Sequence, residues 1–244
     1  MPSDRTEKLQ TLYQIGLNYF NEKEYERAIE CWEGAIFFDP ENFRAWTFMG
    51  LAHCEMGRME EGIRLYRKAL DIEPRYAKAW NLLGNAFRTT GELFRAVEAF
   101  EKANEIDPGN IAIAYNLAIT YFEVMEYEKA IRLFHLVLEK EGTAGDILLD
   151  LSNSYYRIDR YQTADEYLER YLDLHPDTPE RDRLLTARRL LRRFQIDDAQ
   201  KPTTLTARRR VERAALLPAD LEEPELSSDA KPEGAPGSPA SPDA

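Results

Sequence analysis

The chain has 244 residues, a net charge of −12 and two cysteines, Cys31 and Cys54. No apolar run approaches the roughly 20 residues that a membrane-spanning helix requires, and two cysteines cannot form a disulfide framework. The first residues lack the apolar core of a secretory signal, so we expect a cytoplasmic protein without transmembrane segments.

From residue 9 the sequence repeats itself every 34 residues. The clearest copy carries its marker residues at Trp80, Leu83, Gly84, Phe87, Ala96, Phe100, Ala103 and Pro108. The same positions recur in five copies without insertion or deletion, at 9–42, 43–76, 77–110, 111–144 and 145–177. The spacing i, i+3, i+4, i+7 predicts one face of an amphipathic helix, a second helix follows, and a proline ends it. Each copy is therefore predicted to be a helical hairpin that must stack on its neighbours to bury its apolar face.

This pattern resembles the tetratricopeptide repeat (TPR) family. The resemblance covers about residues 9 to 177 and implies an all-α, right-handed α-solenoid of five hairpins (domain 1–177). With a C-terminal capping helix, eleven helices are expected. In this family the first helix of each hairpin lines a concave groove, and the resemblance implies the same here.

The fourth copy departs from the pattern at Ala114 and at Gly142, where other copies have a large residue and a closing proline. Residues 141–145 are thus the most permissive junction of the array. We interpret them either as a hinge or as a tolerated loop, with the loop favoured.

A capping helix is predicted at 178–194, where Leu184, Ala187, Leu191 and Phe194 form one apolar stripe. Its solvated face is assigned to six arginines: Arg181, Arg183, Arg188, Arg189, Arg192 and Arg193. That face is either solvent-exposed only or a docking site for an acidic partner.

Residues 195–244 contain no aromatic residue and seven of the chain's thirteen prolines, a composition that predicts a disordered tail. Within it, the basic segment 205–217 is long enough for one short helix. Such segments bind membranes, nucleic acid or a partner's groove, or have no specific role.

The charge is unevenly distributed along the chain. Residues 1–180 carry 20 Lys and Arg against 33 Asp and Glu, a net charge of −13, whereas residues 181–213 carry 11 against 4, a net charge of +7. The acidic array argues against nucleic acid as the main ligand and favours a protein or peptide partner of neutral to basic charge.

Catalytic and metal-binding patterns are missing from the sequence. His53, His135 and His175 do not share metal-ligand spacing with a cysteine or carboxylate, and there is neither a phosphate loop nor a nucleophile elbow. We expect a non-enzymatic protein without cofactor or metal.

The candidate binding residues form a stripe next to the packing face of the first helices. They are Tyr13, Leu17, Phe20, Thr47, Leu51, Lys78, Asn81, Asn85, Arg88, Tyr115, Asn116, Ile119, Phe122, Asp146, Leu149, Asn153 and Tyr156. The asparagines can hydrogen-bond a ligand backbone, and the aromatic side chains either receive apolar groups or pack on neighbouring hairpins.

Chaperone-binding members of the family hold a terminal carboxylate in a clamp of asparagines and cations. The best alignment here places Asn85 and Asn116 on the two asparagines, but Asn81 on the first lysine, and Asp146 and Asp150 on the other two cations. A carboxylate terminus would be repelled there, which argues against heat-shock chaperone tails.

Two functions remain open. The first is an adaptor or scaffold that binds a peptide or helical segment of a partner in its groove. The alternative is an RNA- or membrane-associated protein that acts through the Arg-rich segment 181–213.

Overall fold

The structure, a computed structural model, describes residues 2–141 and 145–200, with side chains described for 7–140 and 145–195. Over these residues the chain is all-α and contains no strand, and its helices number eleven, as predicted. They are α1 (Pro2–Asn21), α2 (Tyr25–Phe38), α3 (Phe43–Glu55), α4 (Met59–Ile72), α5 (Ala77–Thr89), α6 (Leu93–Ile106), α7 (Ile111–Glu123), α8 (Tyr127–Glu141), α9 (Gly145–Arg157), α10 (Tyr161–Leu174) and α11 (Arg181–Gln200).

Each of the first three hairpins closes where a glycine of its first helix meets an aromatic ring of its second. A Cβ atom on Gly84 would lie 2.8 Å from ring atoms of Phe100, and Gly16 and Gly50 are equally close to the rings of Trp32 and Tyr66. These three rings are fully buried. The absent side chain therefore lets the two helices approach, as the small residue in the repeat pattern predicts.

The turn inside every hairpin contains one residue in the left-handed region, at the fifteenth position of the copy. Gly57 and Gly91 occupy it at φ 77° and 79°, but Lys23, Met125 and Asp159 adopt φ of 62° to 64° without being glycine. Such a conformation costs a non-glycine residue roughly 1–2 kcal/mol. Hairpin packing thus imposes the same turn on all five copies, including three whose sequence does not favour it.

At the first two junctions between hairpins, a tryptophan of the following hairpin hydrogen-bonds the carbonyl of the proline that ends the preceding one. The indole Nε1 of Trp80 donates to the carbonyl of Pro74 at 2.9 Å, and Trp46 makes the same bond to Pro40. In the stack, every helix from α1 to α10 packs against its neighbour in sequence. The packed helices form one unit that ends at Ile196.

The last hairpin ends the array through a charged residue. Asp165 occupies the position that is Ile29, Ile63, Val97 and Ile131 in the other copies. It is 8% exposed, and its two carboxylate oxygens accept from the Nε atoms of Arg188 at 2.8 Å and Arg192 at 3.0 Å. Packing of another hairpin on this position would require an apolar side chain like those of the other copies. The carboxylate of Asp165 instead pairs with arginines of α11.

Helix α11 corrects two expectations. The six arginines do not all face solvent, because Arg188 and Arg192 lie one helical turn apart and turn together toward Asp165. Residues 195–200, assigned to the tail, are helical, since neither proline nor glycine interrupts the chain before Pro202. Residues 201–244, including the segment 205–217, lie outside the described residues.

The junction between the fourth and fifth hairpins is described only at its edges. Residues 142–144 of the predicted hinge or loop lie outside the described residues. At Gly145 a Cβ atom would come 2.2 Å from Nε2 of His175, so this glycine is required by the packing of the histidine ring.

We predict that Gly84→Ala lowers the free energy of unfolding by about 1–3 kcal/mol, because the new methyl group overpacks against Phe100. Urea unfolding measures the change. The matched control is Gly109→Ala, whose Cβ would meet nothing closer than 3.8 Å and should change stability much less. Equal effects at both sites would contradict the packing role of Gly84.

We also predict that Asp165→Ala destabilises the protein by about 1–3 kcal/mol, because it removes the buried carboxylate that pairs with Arg188 and leaves only Glu169 as an acidic partner. Hydrogen exchange of α11 should accelerate in this variant. The matched control is Asp173→Ala, at an exposed residue of α10, the helix that contains Asp165. Its free energy of unfolding should stay within about 0.5 kcal/mol of wild type. Unchanged exchange in α11 after Asp165→Ala would show that the ion pair does not hold the cap.

Candidate functional site

The first helices of consecutive hairpins lie on the inner side of the stack. Helix α3 packs beside α5 and α5 beside α7. Among the described helices no second helix approaches its counterpart in the next hairpin as closely. The faces of α1, α3, α5, α7 and α9 that point away from the second helices therefore form the concave surface.

Position 9, counted from the first residue of each copy, runs along the middle of this surface. We call this set row 9; it comprises Leu17, Leu51, Asn85, Ile119 and Asn153. All five side chains are half-buried. Within the described part of the chain, the amides of Asn85 and Asn153 form no side-chain hydrogen bond, so donors and acceptors point from row 9 to the outside.

On one side of row 9, position 5 of the first, third and fourth hairpins contacts position 6 of the next hairpin, 35 residues further on. The rings of Tyr13 and Phe48 meet edge to face at 5.8 Å. Asn116 Nδ2 donates to Asn81 Oδ1 at 3.0 Å, and the Tyr115 hydroxyl donates to Asp150 Oδ2 at 3.0 Å. Part of the hydrogen-bonding groups and ring surface of these candidate residues is therefore already used in contacts between hairpins.

On the other side, position 12 contacts position 13 of the next hairpin in the same way. Arg88 and Glu123 form an ion pair at 3.4 Å, and Arg157 lies over the ring of Phe122 at 5.9 Å. Burial raises the pKa of Glu123, and Arg88 opposes the rise. Sequence reasoning missed the position-13 partners, although their spacing of one repeat plus one residue was a usable signal.

Two of the candidate residues do not belong to the accessible surface. Thr47 is fully buried and its hydroxyl donates to the carbonyl of Phe43 at 2.8 Å. Tyr156 is 6% exposed and packs on Tyr161. Both lie inside because neighbouring helices cover these positions, which a single-helix projection does not take into account.

The aromatic candidates that remain half-buried also contact other rings. Phe20 packs against Tyr25 and Trp32, Tyr115 against Phe134, and Phe122 against Tyr127. Each of these ring contacts lies within one hairpin. The contacts of aromatic candidates with neighbouring hairpins, the alternative left open by the sequence, are those of Tyr13, Tyr115 and Phe122 described above. Leu149 is half-buried as well.

Charge changes sign along the exposed edge of the concave surface. At position 2 the hairpins carry, in order, Gln10, Arg44, Lys78, Ala112 and Asp146, all exposed. Asp150 lies near Asp146. Burial raises the pKa of the Asp150 carboxyl to about 6, the hydrogen bond from Tyr115 lowers it, and the charge of Asp146 raises it.

The structure thus defines a helical-repeat protein with a concave surface that contains free amides and half-buried apolar groups. None of the helices in the described residues is long and apolar enough to cross a membrane. No group of three or more His, Cys, Asp or Glu residues suited to a metal ion occurs in this part of the chain.

Comparison with protein families identifies the class. Residues 9–42 and 146–178 each match the tetratricopeptide repeat, and residues 38–151 match the C-terminal ARM domain of tetratricopeptide repeat protein 21. The chain belongs to the tetratricopeptide repeat family, as its sequence pattern predicted. A comparison with curated proteins finds no match.

Solved structures share the fold at low sequence identity. Pseudomonas aeruginosa PilF is 18% identical, with a TM-score of 0.65 over 86% of this chain and 99% of that one. MamA from Desulfovibrio magneticus RS-1 is 17% identical, with a TM-score of 0.63 over 70% and 97%. YrrB, described as a TPR protein with an unusual peptide-binding site, is 17% identical, with a TM-score of 0.61 over 68% and 86%.

We predict that Asp150→Asn stabilises the protein increasingly as pH rises from about 4 to about 6. The folded chain keeps the Asp150 proton in this window whereas the unfolded chain has lost it, so wild-type stability falls with pH. The difference between variant and wild type should grow by up to about 1.4 kcal/mol per pH unit.

Urea unfolding across this pH range measures that difference. Asp71→Asn, at an exposed residue of α4, is the matched control and should show no such slope. A difference between Asp150→Asn and wild type that stays constant with pH would rule out the raised pKa.

Proposed function

We propose that this protein is a non-catalytic adaptor that holds an extended or helical segment of a partner protein on row 9 of its concave surface. One observation carries the proposal: the side chains on both sides of row 9 are engaged between hairpins, whereas the amides of Asn85 and Asn153 have no internal hydrogen bond in the described residues. A half-buried amide that gains a partner on binding contributes affinity and orientation.

Row 9 alternates between the two kinds of contact that a peptide requires. Leu17, Leu51 and Ile119 offer half-buried apolar surface, which binds apolar side chains through the hydrophobic effect. Asn85 and Asn153 lie on either side of Ile119, and their amides are available for hydrogen bonds with main-chain groups of the bound segment. The spacing therefore fits a segment that lies along the array.

Electrostatics favour a basic residue of the partner at the fifth hairpin. Asp146 is exposed and Asp150 is half-buried with a raised pKa. A cation placed against these two carboxyl groups would relieve their mutual repulsion and favour the ionised form of Asp150. This supports a partner segment with a basic residue at that end.

The alternative function through the Arg-rich segment 181–213 is weakened by one contact. Arg188, whose side chain is largely buried, and the more exposed Arg192 both pair with Asp165, so two of the six arginines of α11 already have an acidic partner. YrrB, with its peptide-binding site, shares the fold, which supports the groove over the tail.

The proposal predicts that Asn85→Ala combined with Asn153→Ala weakens partner binding at least tenfold without unfolding the protein. Each lost amide contact contributes about 1–3 kcal/mol, and 1.4 kcal/mol is about tenfold in affinity. Affinity purification with quantitative mass spectrometry identifies the partner, and titration with the purified partner gives the dissociation constant.

The controls are chosen to separate the two functions. Asn18→Ala, at an exposed residue outside row 9, should bind like wild type, and so should a full chain with Arg208, Arg209 and Arg210 replaced by Ser. If the arginine variant loses the partner and the row 9 variant keeps it, the Arg-rich segment is the binding element and our proposal is wrong.

A further inference from the structure

Residues of the first three hairpins form a cluster of cationic and aromatic side chains. Lys78 Nζ lies 4.3 Å from the ring centroid of Phe48, which the ring of Tyr13 meets edge-on. Arg44 lies over Phe43 at 5.7 Å, and Phe43 packs on Tyr76 with the ring centroids 4.9 Å apart. We call Tyr13, Arg44, Tyr76 and Lys78 the N-terminal cluster.

Both cations of the N-terminal cluster lack an acidic partner. Arg27, Arg64, Arg95, Lys102 and Lys129 each form an ion pair with a glutamate three residues away. Arg44 and Lys78 make no ion pair with any described residue, although residues 1–180 contain 33 Asp and Glu. Burial lowers the pKa of Lys78, so an incoming anion would restore part of the stabilisation that its ammonium group has lost.

The two phenol groups supply hydrogen-bond donors beside these charges. The pKa of Tyr13 is raised to about 12, mainly by burial and also by Tyr76, while the charge of Arg44 acts in the opposite direction. Burial also raises the pKa of Tyr76, again opposed by Arg44. Both hydroxyls are therefore protonated at neutral pH, and neither is bonded to another described residue. Two phenols and two cations near one another supply only hydrogen-bond donors and positive charge, which suits a carboxylate as the acceptor.

We propose that the N-terminal cluster binds an Asp or Glu side chain of the partner segment that the concave surface holds. The segment is then acidic where it meets the second and third hairpins and basic where it meets Asp146 and Asp150. This inference rests on the proposed function for its setting, and it fixes the direction in which the segment lies. It narrows the partner from a neutral or basic segment to one whose charge changes sign along its length.

A peptide carboxylate fits the cluster better than a nucleic acid does. A phosphate backbone carries a charge at every nucleotide and binds along a continuous series of cations. Here the position next to Lys78 along the same edge is Ala112, and Asp146 follows. One isolated anionic group is compatible with this sequence of charges, whereas a row of phosphates would be repelled at the fifth hairpin.

The test is an NMR titration of the full, ¹⁵N-labelled chain with acetyl-tetraglutamate amide. Saturable shifts should appear at Tyr13, Arg44, Tyr76 and Lys78. In the variant Arg44→Gln combined with Lys78→Gln, the dissociation constant should rise at least tenfold.

The matched control is Arg67→Gln combined with Lys68→Gln, which removes the same charge from exposed positions of α4. It should leave the dissociation constant within about twofold of wild type. Equal weakening by both variants would mean general attraction to the chain and would overturn the proposal, as would shifts that do not saturate at the cluster.

One further probe, inorganic phosphate, separates the alternatives. If phosphate gives saturable shifts at the N-terminal cluster and tetraglutamate does not, the ligand is a phosphate group and the carboxylate proposal is wrong. Tetraglutamate binding is measured on the isolated chain, without the partner that the adaptor function requires. Failure of the adaptor function and failure of the carboxylate site are therefore distinguishable.

Discussion

Each of the first three hairpins closes where a glycine of its first helix touches an aromatic ring of its second, and this contact leaves no room for a Cβ atom. Later copies modify it: Ala118 occupies the glycine position opposite Phe134, and Ser152 occupies it in the fifth hairpin, where its hydroxyl donates to the carbonyl of Ala164 at 2.8 Å. Because the contact fixes how the helices approach, it also fixes which faces remain for stacking and for binding.

The second hairpin illustrates how closely this packing is coordinated. Gly62 replaces the alanine of the other copies, and a Cβ atom there would lie 2.2 Å from Sγ of Cys54. Cys54 in turn hydrogen-bonds Tyr66, the ring that contacts Gly50. Gly62, Cys54 and Tyr66 thus pack as one group, in which the absence of a side chain at position 62 leaves room for the sulfur atom of Cys54.

Stacking and binding compete for the same side chains. Positions 5 and 12 of one hairpin reach positions 6 and 13 of the next, so the concave surface is held together by its own potential binding groups. Row 9 lies between these contacts and stays available. In this row Asn85 and Asn153 stand where the other hairpins have Leu17, Leu51 and Ile119, and both are half-buried.

The sequence by itself determined the helical repeats, their register and their number, because each hairpin depends on local spacing: an apolar face at i, i+3, i+4 and i+7, a small residue, and a closing proline. It also predicted a stripe of candidate binding residues next to the packing face of the first helices. It could not determine which stripe residues are accessible, since Thr47 and Tyr156 are covered by helices distant in sequence. Nor did it reveal that Asp165 holds Arg188 and Arg192, or that Tyr13, Arg44, Tyr76 and Lys78 converge. Those relationships depend on how the hairpins stack, and the angle and offset between them are set by side-chain packing across copies rather than by the pattern within one.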